Sequence, residues 1–132
     1  MFKLIKIENG RQNVPEPEYL DVKSGEAVEI GEALVLSSGV LTKCGATAAP
    51  QYIAMGAVAG SATKREIAAC RVEKNQVFEV PVTDAPAELV PGAKVRLHTD
   101  AMQVTATTTD GVVTVVALNG ATKAGDLITV RI

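Results

Sequence analysis

The chain has 132 residues, 47% of them apolar but only 3% aromatic, with no Trp and a formal net charge of −2. A domain of this length buries about two-thirds of its unfolded surface, so neither a disulfide framework nor a metal staple is required. Lys/Arg and Asp/Glu are evenly mixed, which leaves no basic stripe for nucleic acid, and no apolar run approaches a membrane span. Met1 to Lys6 lacks the long apolar region and cleavage site of a secretory signal. The chain is therefore expected to be made in a cytoplasm and to stay there unless something assembles around it. With so few aromatic side chains the core must come from Val, Ile, Leu and Ala. That composition fits a small β domain, or a subunit that completes its burial against a partner.

Phe2–Ile7, FKLIKI, reads as a short strand whose lysines place it at a sheet edge. Residues 8–21 are different in kind. Through Tyr19 they run ENGRQNVPEPEY, with Asn9-Gly10, two prolines interleaved with glutamates, and Val14 as the single aliphatic side chain. Prolines donate no ladder bonds and the segment has little to bury, so it is expected to be an extended arm or long loop. It is either a solvated connection or an arm that orders on a partner through Glu8, Arg11, Val14, Pro15, Pro17 and Tyr19.

Ser24-Gly25 opens a strand at Glu26–Ile30, with Val28 and Ile30 on one face. Gly31-Glu32 turns into Ala33–Leu36, Ser37-Ser38-Gly39 reverses the chain, and Val40–Lys43 returns, giving a three-strand meander. Gly45–Pro50 is a small-residue loop. Tyr52–Val82 then forms the middle of the domain, as extended segments at Tyr52–Val58, Glu66–Glu73 and Val77–Val82. In the second of these Ala68, Cys70 and Val72 fall on one side; in the third Phe78 and Val80 do. Period two with polar punctuation is the mark of antiparallel strands with one packed face.

The stretch Thr83–Pro91 holds the only plausible helical turn, Ala85–Leu89, with Pro86 tolerated in its first turn. Strands are expected at Gly92–His98, with Val95 and Leu97 inward, at Met102–Thr108, at Val112–Leu118 after the Thr109-Asp110-Gly111 turn, and at Leu127–Ile132. The fold class is all-β: a single small barrel or sandwich of about nine or ten short, mostly antiparallel strands. A faint internal echo pairs Gly25-x-x-Val28-x-Ile30 with Gly92-x-x-Val95-x-Leu97, and Gly39-Val40-Leu41-Thr42 with Gly111-Val112-Val113-Thr114. So short a match also fits two independent hairpins.

Residues with chemistry are few. Cys44 and Cys70 lack metal-site spacing; Cys70 lies on an apolar strand face as a buried hydrophobe, and Cys44, at a strand end, is open to exposure. His98, the only histidine, stands opposite Val95 and Leu97 with Asp100 two positions on, and no nucleophile motif accompanies it, so it reads as a surface residue. Asp and Glu are scattered singly, without a pair placed for acid and base roles. Gly56-Ala57-Val58-Ala59-Gly60 lacks the Gly-Lys-Ser/Thr ending and following helix of a phosphate loop. Lys43 and Lys74 lack the Met-flanked turn of a biotinyl carrier. Thr99–Thr109 is a solvated strand face or a flat polar surface for a neighbouring subunit or a glycan. No catalytic, metal or cofactor-binding residues are assigned.

Taken together, the "sGeaVeiGealVLssGvltk" hairpin, Pro50-Gln51-Tyr52-Ile53-Ala54-Met55-Gly56, Glu66–Val72, Phe78-Glu79-Val80-Pro81-Val82 and the C-terminal "DGVVTV…KAGDLITVRI" resemble the small β-barrel decoration or cement-like proteins of tailed-bacteriophage heads. The resemblance covers Val22 to Ile132 and rests on turn placement and apolar rhythm. It implies a non-enzymatic protein of the virion that binds the outer surface of an icosahedral shell, often as a homotrimer, with the major capsid protein as partner. The segment 8–19 would take the place of an arm that orders on the capsid, by position alone. A carbohydrate- or small-molecule-binding module is the alternative; with Tyr52 and Phe78 expected in the core, it has Tyr19 as its one aromatic platform.

Overall fold

A computed structural model describes residues 1–8 and 15–132. Among the described residues lie ten strands: β1 (Lys3–Ile7), β2 (Glu18–Asp21), β3 (Ala33–Ser37), β4 (Val40–Lys43), β5 (Tyr52–Ala54), β6 (Glu66–Arg71), β7 (Gln76–Pro81), β8 (Lys94–Val95), β9 (Val113–Ala117) and β10 (Leu127–Arg131). They form two five-stranded antiparallel sheets, ordered β2-β6-β5-β3-β4 and β1-β7-β10-β9-β8. Neither sheet closes into a barrel, so of the two expected all-β architectures the sandwich is the one the chain adopts. β1, with its exposed lysines, is an edge strand.

Several expected elements are shorter than the alternation implied. The segment 26–30 is not a strand; only Val28 bridges, to Val58, and Glu32 N–H donates to the Glu29 carbonyl (3.2 Å) to close a tight turn that pushes Ile30 outward, 54% exposed. Met102–Thr108 contributes only Val104, which bridges Leu97 and Val82. Ala85–Leu89 forms a β-turn, with Leu89 N–H on the Pro86 carbonyl (3.0 Å), and no helix: the chain spends its turn burying Leu89 and then meets Pro91. The arm expected through residue 21 ends earlier, because Glu18–Asp21 pairs with β6. β6 itself is covered on both faces, with Ile67 and Ala69 buried on one side and Cys70 on the other.

The internal echo proves to be a repeat of backbone wiring, in a register different from the expected one. Gly31, not Gly25, corresponds to Gly92: Gly31 N–H donates to the Ala54 carbonyl and Gly92 N–H to the Val115 carbonyl, both at 2.8 Å. Ala54 N–H returns to Glu32 (2.9 Å) as Val115 N–H returns to Ala93 (2.8 Å). Val22 N–H reaches the Arg65 carbonyl (3.1 Å) as Val82 N–H reaches that of Asp126 (3.0 Å). Parallel bridges of Val22 to Leu41 and Val82 to Val104 draw each sheet around at one end. β2, β3, β5 and β6 thus correspond to β7, β8, β9 and β10.

Each half has its own core. Val22, Val28, Leu34, Leu41, Tyr52, Ala54, Ile67 and Ala69 fill the first. Their counterparts Val82, Leu89, Val95, Val104, Val113, Val115, Ile128 and Val130 fill the second. Phe2, Ala33, Cys44, Ile53 and Phe78 join the second core and seam the halves together, with the Phe2 and Phe78 rings edge to face at 6.3 Å.

Candidate functional site

The surface that stands out chemically lies along this seam. The chain start crosses from β1 to the first half, where Phe2 N–H donates to the Gly31 carbonyl (2.9 Å). Gly31 is required there twice over: its φ is +80°, and a Cβ would stand 2.5 Å from the Met1 Cβ. The crossing leaves an apolar groove of about 220 Å³ lined by Met1, Phe2, Pro15, Ile53, Met55 and Phe78. Met1 and Met55 on its wall are 51% and 44% exposed, and Ile30 lines it too. An apolar row continues from it across the first sheet. Met55 N–H bonds the Ala68 carbonyl (2.9 Å), and Ala68 sits opposite Tyr19 on β2, which is 65% exposed. Phe2, Tyr52 and Phe78 are buried, so Tyr19 is the exposed aromatic side chain.

On the opposite face of this sheet polar groups brace strands to one another. Arg71 grips Glu18 with Nε on Oε1 (2.7 Å) and Nη2 on Oε2 (3.1 Å), Tyr52 donates its hydroxyl to the same carboxylate (3.0 Å), and the guanidinium lies 5.2 Å over the Tyr52 ring. The Arg71 hydrogen bonds hold the Glu18 carboxyl below its usual range, while burial and then Glu18 push the Tyr52 phenol up. Glu18 therefore stays ionised and Tyr52 protonated, an arrangement that fastens β2 to β5 and β6 without a proton in play.

His98 occupies a turn, its Nδ1 3.1 Å from Asp100 Oδ2. Burial tends to raise the Asp100 pKa, but bonds from Gln103 Nε2 (2.7 Å) and the Met102 amide (2.8 Å), with His98, outweigh it and lower it. Lys43 is engaged by Glu32, whose buried Oε1 lies 3.3 Å from the ammonium, while its Oε2 accepts the Glu29 amide (3.0 Å). Cys44, whose exposure the sequence leaves open, is buried, and burial raises its thiol to about 11. The pairings Cys44 with Ala33, Ala33 with Ile53 and Ile53 with Cys70 form one row. The two thiols thus stand three strand spacings, about 14 Å, apart, beyond the reach of a disulfide.

Of the expected arm contacts, Arg11 and Val14 lie outside the described residues. Glu8 is tied back to the second half: its amide donates to the Asn75 carbonyl (2.8 Å) and its carboxylate pairs with Arg131. Pro15 lines the groove, Pro17 is exposed, and Tyr19 belongs to β2. Met1, Ile30 and Met55 are exposed residues of this candidate surface that the alternation did not reveal; for Ile30 alternation with Val28 pointed inward, and only the Glu29–Glu32 turn reverses it. Among the described residues no three His, Cys, Asp or Glu side chains converge as metal ligands, and no helix is long and apolar enough to cross a membrane. No protein-family model and no curated protein matches the chain.

Proposed function

We propose that the chain is a non-enzymatic structural protein of a tailed-bacteriophage head, binding the outer surface of an icosahedral capsid as a symmetric oligomer. The observation that carries this reading is the apolar surface along the seam: Met1, Ile30, Met55 and Tyr19 stand exposed on a frame whose polar groups are spent on bracing strands. Exposed apolar residues grouped around a groove mark a contact surface rather than a solvated face. The major capsid protein and further copies of the chain are the proposed partners. Contacts of modest strength suffice, because an oligomer engages several equivalent sites at once. The test is co-sedimentation with purified capsids, with light scattering for the oligomer. Wild-type protein is expected to pellet with capsids, and Met55→Lys with Tyr19→Lys to stay in the supernatant; a wild-type chain that leaves capsids untouched ends the proposal.

A carbohydrate- or small-molecule-binding module is the second reading, favoured by the exposed ring of Tyr19 and the groove near it. A glycan array without hits removes its carbohydrate form.

A further inference from the structure

The repeat shows one edge treated in two ways. In an antiparallel strand, alternate residues turn both backbone groups to one neighbour and the residues between turn them to the other. Val82 N–H points to β10, so the residues between, Glu79, Val77 and Asn75, face the opposite side, and there β1 pairs with them. Lys3 stands opposite Glu79, Lys6 opposite Val77, and Glu8 N–H donates to the Asn75 carbonyl (2.8 Å). In the first half Val22 N–H points to β6 in the same way, so Tyr19 faces outward, and the same alternation carried back beyond the start of β2 assigns Pro17 and Pro15 to that side. β2 ends its sheet; on this side β4 meets only its far end, where Lys23 N–H donates to the Leu41 carbonyl (2.8 Å), and among the described residues no strand is paired with Tyr19 or with the two prolines before it. The positions that hold β1 in one half are thus Tyr19, Pro17 and Pro15 in the other, and two of those three lack an N–H.

We infer that Pro15 and Pro17 guard the β2 edge, removing the donors through which it would otherwise take up a β1-like strand from a second copy of this chain. An unguarded strand edge recruits another chain. Here the need is specific, because every copy carries both the edge and, in Phe2–Ile7, a strand already shaped to fit its counterpart on β7. The apolar face beside the edge stays free for side-chain contacts while backbone pairing is blocked. This inference stands independently of the capsid reading.

The test compares Pro15→Thr/Pro17→Val with wild type by light scattering over a concentration series and by amide exchange at Tyr19. Particle mass is expected to at least double relative to wild type, and the Tyr19 amide to exchange about tenfold more slowly as it gains a bonded partner. Unchanged mass together with unchanged Tyr19 exchange in the folded variant overturns the inference. Pro17 is exposed, so Pro17→Val alone provides a variant whose packing is untouched, with a smaller shift of the same sign expected. A synthetic peptide of residues Phe2–Glu8 added to wild-type protein is expected to leave Tyr19 exchange unchanged; slowing there also overturns it.

Discussion

Where its last strand begins, the first half carries Arg65 and the second half Asp126, and one corner is built with opposite charges. Arg65 donates to the carbonyls of Ala59 (2.6 Å), Gly60 (3.2 Å), Lys23 (2.7 Å) and Glu26. Asp126 accepts from the amides of Thr122 (2.8 Å) and Lys123 (3.0 Å). The halves also differ at Leu36 and its counterpart Leu97, 42% and 1% exposed. The first half lends its 45–48 loop to the second, where the Ala46 carbonyl accepts Leu97 N–H (3.1 Å), whereas the Leu36 amide is met by the Gln51 side chain (2.8 Å). Backbone pairing is thus what the repeat keeps. Which leucine is core follows from the loop that the first half lays against the second.

Substitutions at equivalent positions sharpen this contrast. Leu97→Ala is expected to cost about 3 kcal/mol in denaturant unfolding and Leu36→Ala less than about 0.5 kcal/mol; equal losses would dissolve the distinction between the halves. Arg65→Ala follows at about 2 kcal/mol, since it orphans several carbonyls at once, and Arg65→Lys should restore less than half of that because an ammonium lacks the guanidinium's fork. Lys43→Met leaves Glu32 buried without its cation and is expected to cost about 1.5 kcal/mol, a figure reduced for the exposure of the lysine. Adding Glu32→Ala, the residue the second half has at Ala93, should recover part of that loss.

The smallest effect is on acidification. Amides of Thr122 and then Lys123 lower the Asp126 pKa below 3.8, so its contribution is full above the unfolded value and is lost as pH falls through the lower, folded one. The Arg65 corner is held instead by bonds to backbone carbonyls, with no carboxylate among its acceptors. Amide exchange in acid is therefore expected to open residues 122–126 before residues 59–65, and the reverse order would contradict the charge-swapped corner.

Much of this was legible along the chain. Alternation at Val77–Val82 and Val112–Leu118 marked strands, and the lysines of β1 marked an edge, because side-chain period and backbone donors are local properties. Ile30 was misplaced and Cys44 left open for a complementary reason: each ends a strand-like run, where a turn or a covering loop decides which way the side chain points. Of the candidate contact surface, Tyr19 was visible as a lone exposed aromatic, while Met1 and Met55 joined it only when β1 crossed to Gly31.

The amino-acid order by itself determined an all-β chain of short strands and the turn glycines between them, since those depend on periodicity and on φ at single residues. Only the tertiary structure decided that Gly31 rather than Gly25 answers Gly92, that two sheets form without closing, and that Tyr19 lies on the outer side of β2. Register and edge are relations between segments far apart in the chain, and hydrogen bonds across that distance fix them.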